Sequence, residues 1–368
     1  MIQFLSFSRV IKSQPGWYRG DFHAHSNFSD GILPISPLID YAKSTGINFF
    51  ALTDHNTIDG LHELYPVSNI LIIPGLEVTL SIGHFNVLGI KGWHDWMERI
   101  CVYPHNDTLQ WVEDNPSSTE IMIQSSRNGL INCIVHPLLN PWKWMDYQTN
   151  LNYVHCIELC NCPGWLDNDI ATTQAIRLWT SLLNAGYRIT AIGGSDYHQP
   201  EVNDRYREPE KIDLPTTYVY AEELSCNAIL SAVLRRRVYI SLGPVVSFQA
   251  EVNGIVYGIG QDVGLFDGEI IFTSTISQCP EVTCIQIIKN GEVIAEKSTM
   301  GGKTQLLTID SVSSSQSNWY RLDVYDSNGA MLAISNPIFV GRRKRPNLTT
   351  FGEVYYLAFP ERETQDFP

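Results

Sequence analysis

Six histidines and three carboxylates of this 368-residue chain stand where their side chains could converge on metal ions. His23 and His25 are one residue apart in DFHAHS, and the two-residue period of an extended strand turns both imidazoles to one side, as a chelating pair. Asp30 follows in NFSDG, His55 in TDHN, Glu77 in PGLEVT, His84 in HFNVLGI, His136 in CIVHP, and Asp196 with His198 in GGSDYH. Imidazole with carboxylate suits Zn, Mn or Fe, and a carboxylate such as Glu77 can bridge two ions. One histidine at a strand end, or one Asp in a turn, is ordinarily explained by local hydrogen bonding. Nine such residues are not, because burying so many ionisable groups without metal is costly. His62, His94, His105 and His155 fall outside the pattern and read as structural or surface residues. No G-x-S-x-G elbow surrounds Gly193-Gly194-Ser195, so Ser195 is expected to shape the turn that presents Asp196. No phosphate loop or nucleotide fingerprint is present, and no cofactor beyond metal is implied.

These residues need strands to carry them. From Tyr18 to about Leu242, short apolar runs alternate with turns and helical stretches, the rhythm of a βα-repeat fold. Strands are predicted to end near His23, Leu52, Pro74, Gly89, Val135, Leu159 and Ile192, with a further extended run at 216–220. Helices are predicted over 37–44, 118–128, 170–185 and 221–235. Barrel enzymes place their chemistry on the loops after such strands. Beyond Gly243-Pro244 the pattern turns β-rich, with hairpin signals at Asn253-Gly254, Asn290-Gly291 and Asn328-Gly329. The division expected is an α/β barrel over 1–243, an immunoglobulin-like antiparallel β-sandwich over 244–341 and a tail over 342–368 without clear period. The tail's Tyr355, Tyr356 and Phe359 are expected to pack back on the body.

Lys and Arg number 25 against 39 Asp and Glu, a net charge of −14 that would repel a duplex phosphate backbone. The one basic run, Arg342 to Arg345, reads as a solvated link. No apolar stretch approaches the length of a membrane helix, and the N-terminus lacks the order of a secretion signal, so a cytoplasmic protein without membrane contact is expected, with homo-oligomerisation open. The eight cysteines, including Cys156, Cys160 and Cys162, read as reduced, buried thiols.

HAHSNFSDG, TDHN, the G-x-E ending at Glu77, a later His, the HP at His136 and the SDxH ending at His198 occur in the order that marks the PHP superfamily, named for polymerase and histidinol phosphatase proteins. The chain resembles that superfamily over roughly residues 17 to 240. The resemblance implies a distorted seven-stranded (β/α) barrel and two or three divalent ions. A first ion would be held by His23, His25, Glu77 and Asp196, a second by Glu77, His84 and His136, and a third by Asp30, His55 and His198. IELCN, with Glu158 and Asn161, is similar to a family strand ending near the pocket, which makes Asn161 a candidate substrate contact. The runs LPTTYVYAEELS and RRRVYISLGPVVS, with the added β-rich part, look like the carbaryl-hydrolase-like branch.

The expected activity is hydrolysis of a small phosphate mono- or diester by a hydroxide bridging two ions, with Asp196 or His198 as proton donor. Among Arg127, Arg177, Arg205 and Arg207, the two that follow the SDYH loop, Arg205 and Arg207, are preferred for gripping phosphate. Three ions against Asp30, Glu77 and Asp196 leave a charge of about +3, which favours an anionic ester, whereas two leave about +1 and suit a neutral carboxyl ester or carbamate. A non-catalytic metal-binding interaction module and a nuclease for single strands are the other readings. Metal content and an ester panel separate them.

Overall fold

The computed structural model describes residues 9–65, 68–100, 117–199, 209–279 and 282–362. In chain order the first part comprises β1 (Val10–Lys12), β2 (Gly16–Asp21), α1 (Ile35–Ser44), β3 (Phe49–Leu52), the single turn α2 (Asp59–His62), β4 (Leu71–Leu80) and β5 (Gly83–Leu88). It continues with α3 (Ser118–Arg127), β6 (Ile131–Ile134), β7 (Cys156–Asn161), α4 (Asn168–Ala185), β8 (Thr190–Gly194), β9 (Thr216–Ala221), β10 (Leu224–Ser225), α5 (Cys226–Leu234) and β11 (Val238–Ser241). Strands β3 to β8 are buried at every residue, which is why FFAL reads as an unbroken apolar run instead of an alternating one. Helix α4 turns Ala171, Ala175, Leu178, Trp179 and Leu182 inward at helical spacing and stops at Gly186, whose φ of 101° suits glycine.

These strands form a mixed sheet in the order β11-β9-β2-β3-β4-β5-β6-β7-β8. The pairs β2–β3, β3–β4, β6–β7 and β7–β8 are parallel. The β4–β5 hairpin has no helix, and β5 and β9 run against their neighbours, which distorts the barrel. The sheet curls until β8 faces β9, where side chains take over from the ladder. Thr217 Oγ1 accepts from Gly193 N at 2.9 Å and donates to Gly193 O at 2.8 Å. Asn336 exchanges hydrogen bonds with both main-chain groups of Ala191 and donates to Val238 O. The expected strands are all present. β4 runs past its predicted stop at Pro74, because Pro74 lies where the ladder passes from β3 to β5 and a missing N–H costs least.

The second part is antiparallel: β12 (Val245–Val252), β13 (Ile255–Gly258), β14 (Gly268–Cys279), β15 (Thr283–Lys289), β16 (Glu292–Thr299), β17 (Gly302–Val312), β18 (Ser317–Asp326), β19 (Met331–Ser335) and β20 (Ile338–Gly341). One layer is β13-β12-β14-β17; the other is β16-β15-β18-β19 with β20 on β18. Their facing side chains make one core, with Phe272 and Tyr320 rings 4.2 Å apart. Asn253-Gly254 and Asn290-Gly291 take positive φ at both residues, the hairpin geometry their types predict. Strand β19 pairs with β11, so a single sheet runs through both parts. The stretch after Arg342 is more regular than its sequence predicts. It ends in α6 (Phe351–Ala358), too short to show a period but opened by a capping box between Thr350 and Glu353, and Phe351 and Tyr355 lie against Tyr147.

Candidate metal centre

The centre is assembled where the ladder continues beyond the strand ends. Residues 23–25, following β2, lie alongside 196–198, following β8: His25 N donates to Tyr197 O at 2.9 Å, and Ala24 bridges Tyr197. On the other side Thr53 N donates to Ala24 O, and His55 bridges Glu77 on β4. His84 lies on β5, and His136, after β6, takes a φ of 30°. Asp196 has a φ of 52°, so two of the converging residues sit in left-handed backbone that only a well-determined surrounding structure maintains.

Glu77 is at the middle and has no solvent exposure. Its Oε2 lies 3.1 Å from His23 Nε2, 3.2 Å from His25 Nε2 and 3.0 Å from His55 Nδ1. Its Oε1 lies 2.9 Å from His84 Nδ1 and 3.2 Å from His136 Nε2. Asp196 Oδ1 meets His23 Nε2 at 3.1 Å and His25 Nε2 at 3.0 Å. Asp30 reaches His198 Nε2 at 3.2 Å and His55 Nε2 at 3.5 Å. All nine predicted residues are therefore brought together. Side-chain exposure of 53% at Asp30, 22% at His198 and 18% at Asp196, against none at His23, His25 and Glu77, places the opening on the Asp30 side.

The arrangement is electrostatically tense. Burial alone would raise the Glu77 carboxyl, but His55, His23 and His84 hold it well below the carboxylate range. Burial lowers His84 to about 4 despite Glu77. His198 is driven to about 10, burial being outweighed by Asp196 and Asp30.

The donors fit divalent ions. Three groups offer ligand atoms within 4.8 Å of one another: His23, His25, Glu77 and Asp196; His55, Glu77 and His84; and His25, Asp30, His55 and His198. His25 Nδ1 and His136 Nδ1 are buried without a hydrogen-bond partner among the described residues. The first group coincides with the first set expected from the resemblance; the third adds His25 to the expected trio.

Around this cluster lies a layer of further acids, of which sequence reasoning placed only Glu158 near the pocket, on the strand IELCN. Glu158 Oε1 meets His23 Nδ1 at 3.2 Å, while its Oε2 accepts from His136 N at 2.7 Å and Asn161 Nδ2 at 2.9 Å. Asp54 accepts from Ser26 and Ser29, and Glu210 from the main-chain N–H groups of His198 and Gln199. Asp21, pushed up to about 8 by burial, accepts from both N and Oγ of Ser195, so Ser195 does shape the Asp196 turn. Asp21 and Asp54 stand beside the motif histidines and could have been found there; Glu210 has no local signal. Asn161 supports Glu158, and its Oδ1 has no hydrogen-bond partner among the described residues. Of the arginines, Arg177 pairs with Glu361 at 3.2 Å on the surface, Arg127 is exposed at the end of α3, and Arg205 and Arg207 lie outside the described residues, as does His105.

Residues 21–165 match the model of the PHP domain, and that span holds seven of the nine, all but Asp196 and His198. Over this stretch the chain is similar to the PHP domain. A 5'-3' exoribonuclease of Haemophilus influenzae is 39% identical over 64 residues, 17% of this chain and 23% of that protein. A probable phosphatase of Proteus mirabilis is 30% identical over 133 residues, 33% of this chain. The chain thus spans about half, 54%, of that relative's length and less of the first. A two-domain Bacteroides vulgatus protein described as containing a predicted PHP-like metal-dependent phosphoesterase is 17% identical, with 92% of this chain and 99% of that one covered at a TM-score of 0.46. None of these relatives separates the carbaryl-hydrolase-like branch from the rest. Among the described residues no helix is long and apolar enough to cross a membrane.

Proposed function

We propose that the chain is a metal-dependent phosphoesterase that hydrolyses small phosphate mono- or diesters, with the unit formed by residues 1–243 carrying the chemistry. The observation that supports this is Glu77, a fully buried carboxylate in contact with five imidazoles across both oxygens. A cluster so built is costly without cations to share. In this reading His23, His25, Glu77 and Asp196 hold one divalent ion, Glu77, His84 and His136 a second, and Asp30, His55 and His198 a third, Zn, Mn or Fe by donor type. Bound ions would supply Lewis-acid polarisation of the ester and a lowered pKa for water. The chain's own residues do the rest. Glu158 holds His23 and the turn at His136 in place, Asn161 directs its Oδ1 to substrate, and the partly exposed Asp196 and His198 return a proton to the leaving group.

Elemental analysis of the purified chain, with turnover of p-nitrophenyl phosphate, bis-p-nitrophenyl phosphate, p-nitrophenyl acetate and a carbamate, tests the proposal. Two or more ions per chain and faster cleavage of a phosphate ester are expected. His23→Ala/His25→Ala should lose both metal and turnover; turnover unchanged in that variant overturns the reading.

A further inference from the structure

The basic run at Arg342–Arg345 is exposed, as a solvated link would be, but it is also anchored to the body. Arg342 N donates to Gln316 O at 2.7 Å, Lys344 Nζ reaches Asn184 O at 2.5 Å, and Tyr187 Oη donates to Leu348 O at 2.6 Å. Gly186 leaves room for this passage, since a Cβ there would lie 3.1 Å from the Lys344 chain. Lys344 thereby supplies the cation that the last turn of α4 lacks, close to its carbonyl end. That accounts for one of the four. Arg342, Arg343 and Arg345 are exposed and make no ion pair among the described residues, although they line a cavity of about 950 Å³ together with Ser315, Ser317 and Lys344.

The charge around them is concentrated. Burial, Arg188 and Arg343 together lower Arg236 to about 10, so cations crowd one another here in a chain of net charge −14. Two carboxylates nearby are already engaged. Asp262 pairs with Arg188 at 2.7 Å, and Asp267 accepts from Ser313 and Ser314. Three guanidiniums without an ion pair among the described residues, with the Ser317 hydroxyl and a Ser315 hydroxyl that already meets Ser313 Oγ at 2.9 Å, stand on a fixed backbone and suit phosphate-type oxygens. The cavity is also remote from the metal centre. Helix α4 leaves the metal-bearing end after β7 and runs 18 residues, about 27 Å, before reaching Asn184 and Gly186.

We propose that the Arg342–Arg345 cavity is a separate binding site for a compact anion carrying several phosphate groups, held by Arg342, Arg343, Arg345 and the hydroxyls of Ser315 and Ser317. Neither the metals nor the esterase reading enters this inference.

Titration calorimetry of sodium tripolyphosphate into the chelator-treated full-length chain at low ionic strength tests it. One site per chain is expected, with orthophosphate bound about tenfold or more weaker for want of a second charged group. Arg342→Ala/Arg343→Ala/Arg345→Ala should weaken tripolyphosphate about tenfold or more, and His23→Ala/His25→Ala should leave it unchanged. Should the triple alanine variant show no melting transition, Arg342→Lys/Arg343→Lys/Arg345→Lys keeps the charge, loses the guanidinium forks and should bind several-fold more weakly. Undiminished binding by the arginine variants, loss of binding in the histidine variant, or a single-stranded oligothymidylate bound more tightly than tripolyphosphate at matched ionic strength each overturn the proposal.

Discussion

Glu158 shows how a residue that need touch no ion can govern several that do. Its two oxygens serve His23 Nδ1, the main-chain N–H of His136 and the Asn161 amide, so it fixes one ring, one turn and one polar side chain together. Glu158→Gln keeps the volume but turns one oxygen into a donor facing donors. Metal affinity measured by chelator competition should fall about 10- to 100-fold, the range for lost hydrogen bonds behind metal ligands. Melting of the metal-free chain should move far less, because the strand around it is unchanged. Equal metal affinity in the two proteins would sink the positioning role. The sequence revealed the nine converging residues because each stands in a short run with strand or turn character, and H-x-H carries its geometry in its spacing. Glu158 stood out only through IELCN, a strand expected to end near the pocket, which gave it a place but no role. Glu210 could not be found that way, since what makes it matter is the chain returning beside His198.

At the level of elements, the pairing of the segment after β2 with the segment after β8 joins H-x-H to D-x-H, and it depends on close backbone approach. A Cβ on Gly194 would lie 2.2 Å from Glu158 Oε1 and 2.5 Å from His23 Cβ. Gly194→Ala must therefore push His23 or Glu158 aside. A stability loss of about 1–3 kcal/mol by denaturant melts is expected, as for overpacked cores, and metal content should drop with it. Wild-type stability and full metal content in the variant would show that the contact yields freely. The strands themselves were readable from burial on both faces. Their directions were not: nothing in the apolar runs says that β5 and β9 oppose their neighbours, or that Thr217 and Asn336 side chains close the seam between β8 and β9.

For the whole molecule, the β-rich part is continuous with the part that carries the centre. The β11–β19 pairing carries one sheet across Gly243-Pro244, and α4 is bound to the second part from its side. Arg321, buried against Asp323, donates to Thr180 Oγ1 at 2.8 Å and lies over Trp179 and Trp319, while Trp319 Nε1 donates to Asn184. The same helix thus connects the end of β7, where Glu158 works, to the second core and to the arginine cavity.

A chain packed this tightly should fail at high pH in a traceable way, through thiols it holds in the dark. Cys226 opens α5, where a helix N-terminus would favour a thiolate, yet burial dominates and pushes it up to about 12 from 9. The folded chain keeps that proton while the unfolded chain releases it above pH 9. Its contribution is therefore complete below pH 9 and disappears as pH climbs towards 12, on the order of 4 kcal/mol across the window. Urea melts of wild type and Cys226→Ala between pH 8 and 11 would isolate it. The variant should be the less stable at pH 8, for the small cavity it leaves, and should lose less with each step of pH, so that the two curves converge. Parallel curves would mean that Cys226 is not the group that titrates and that another buried acid, such as the Cys160 thiol at about 12, sets the alkaline limit.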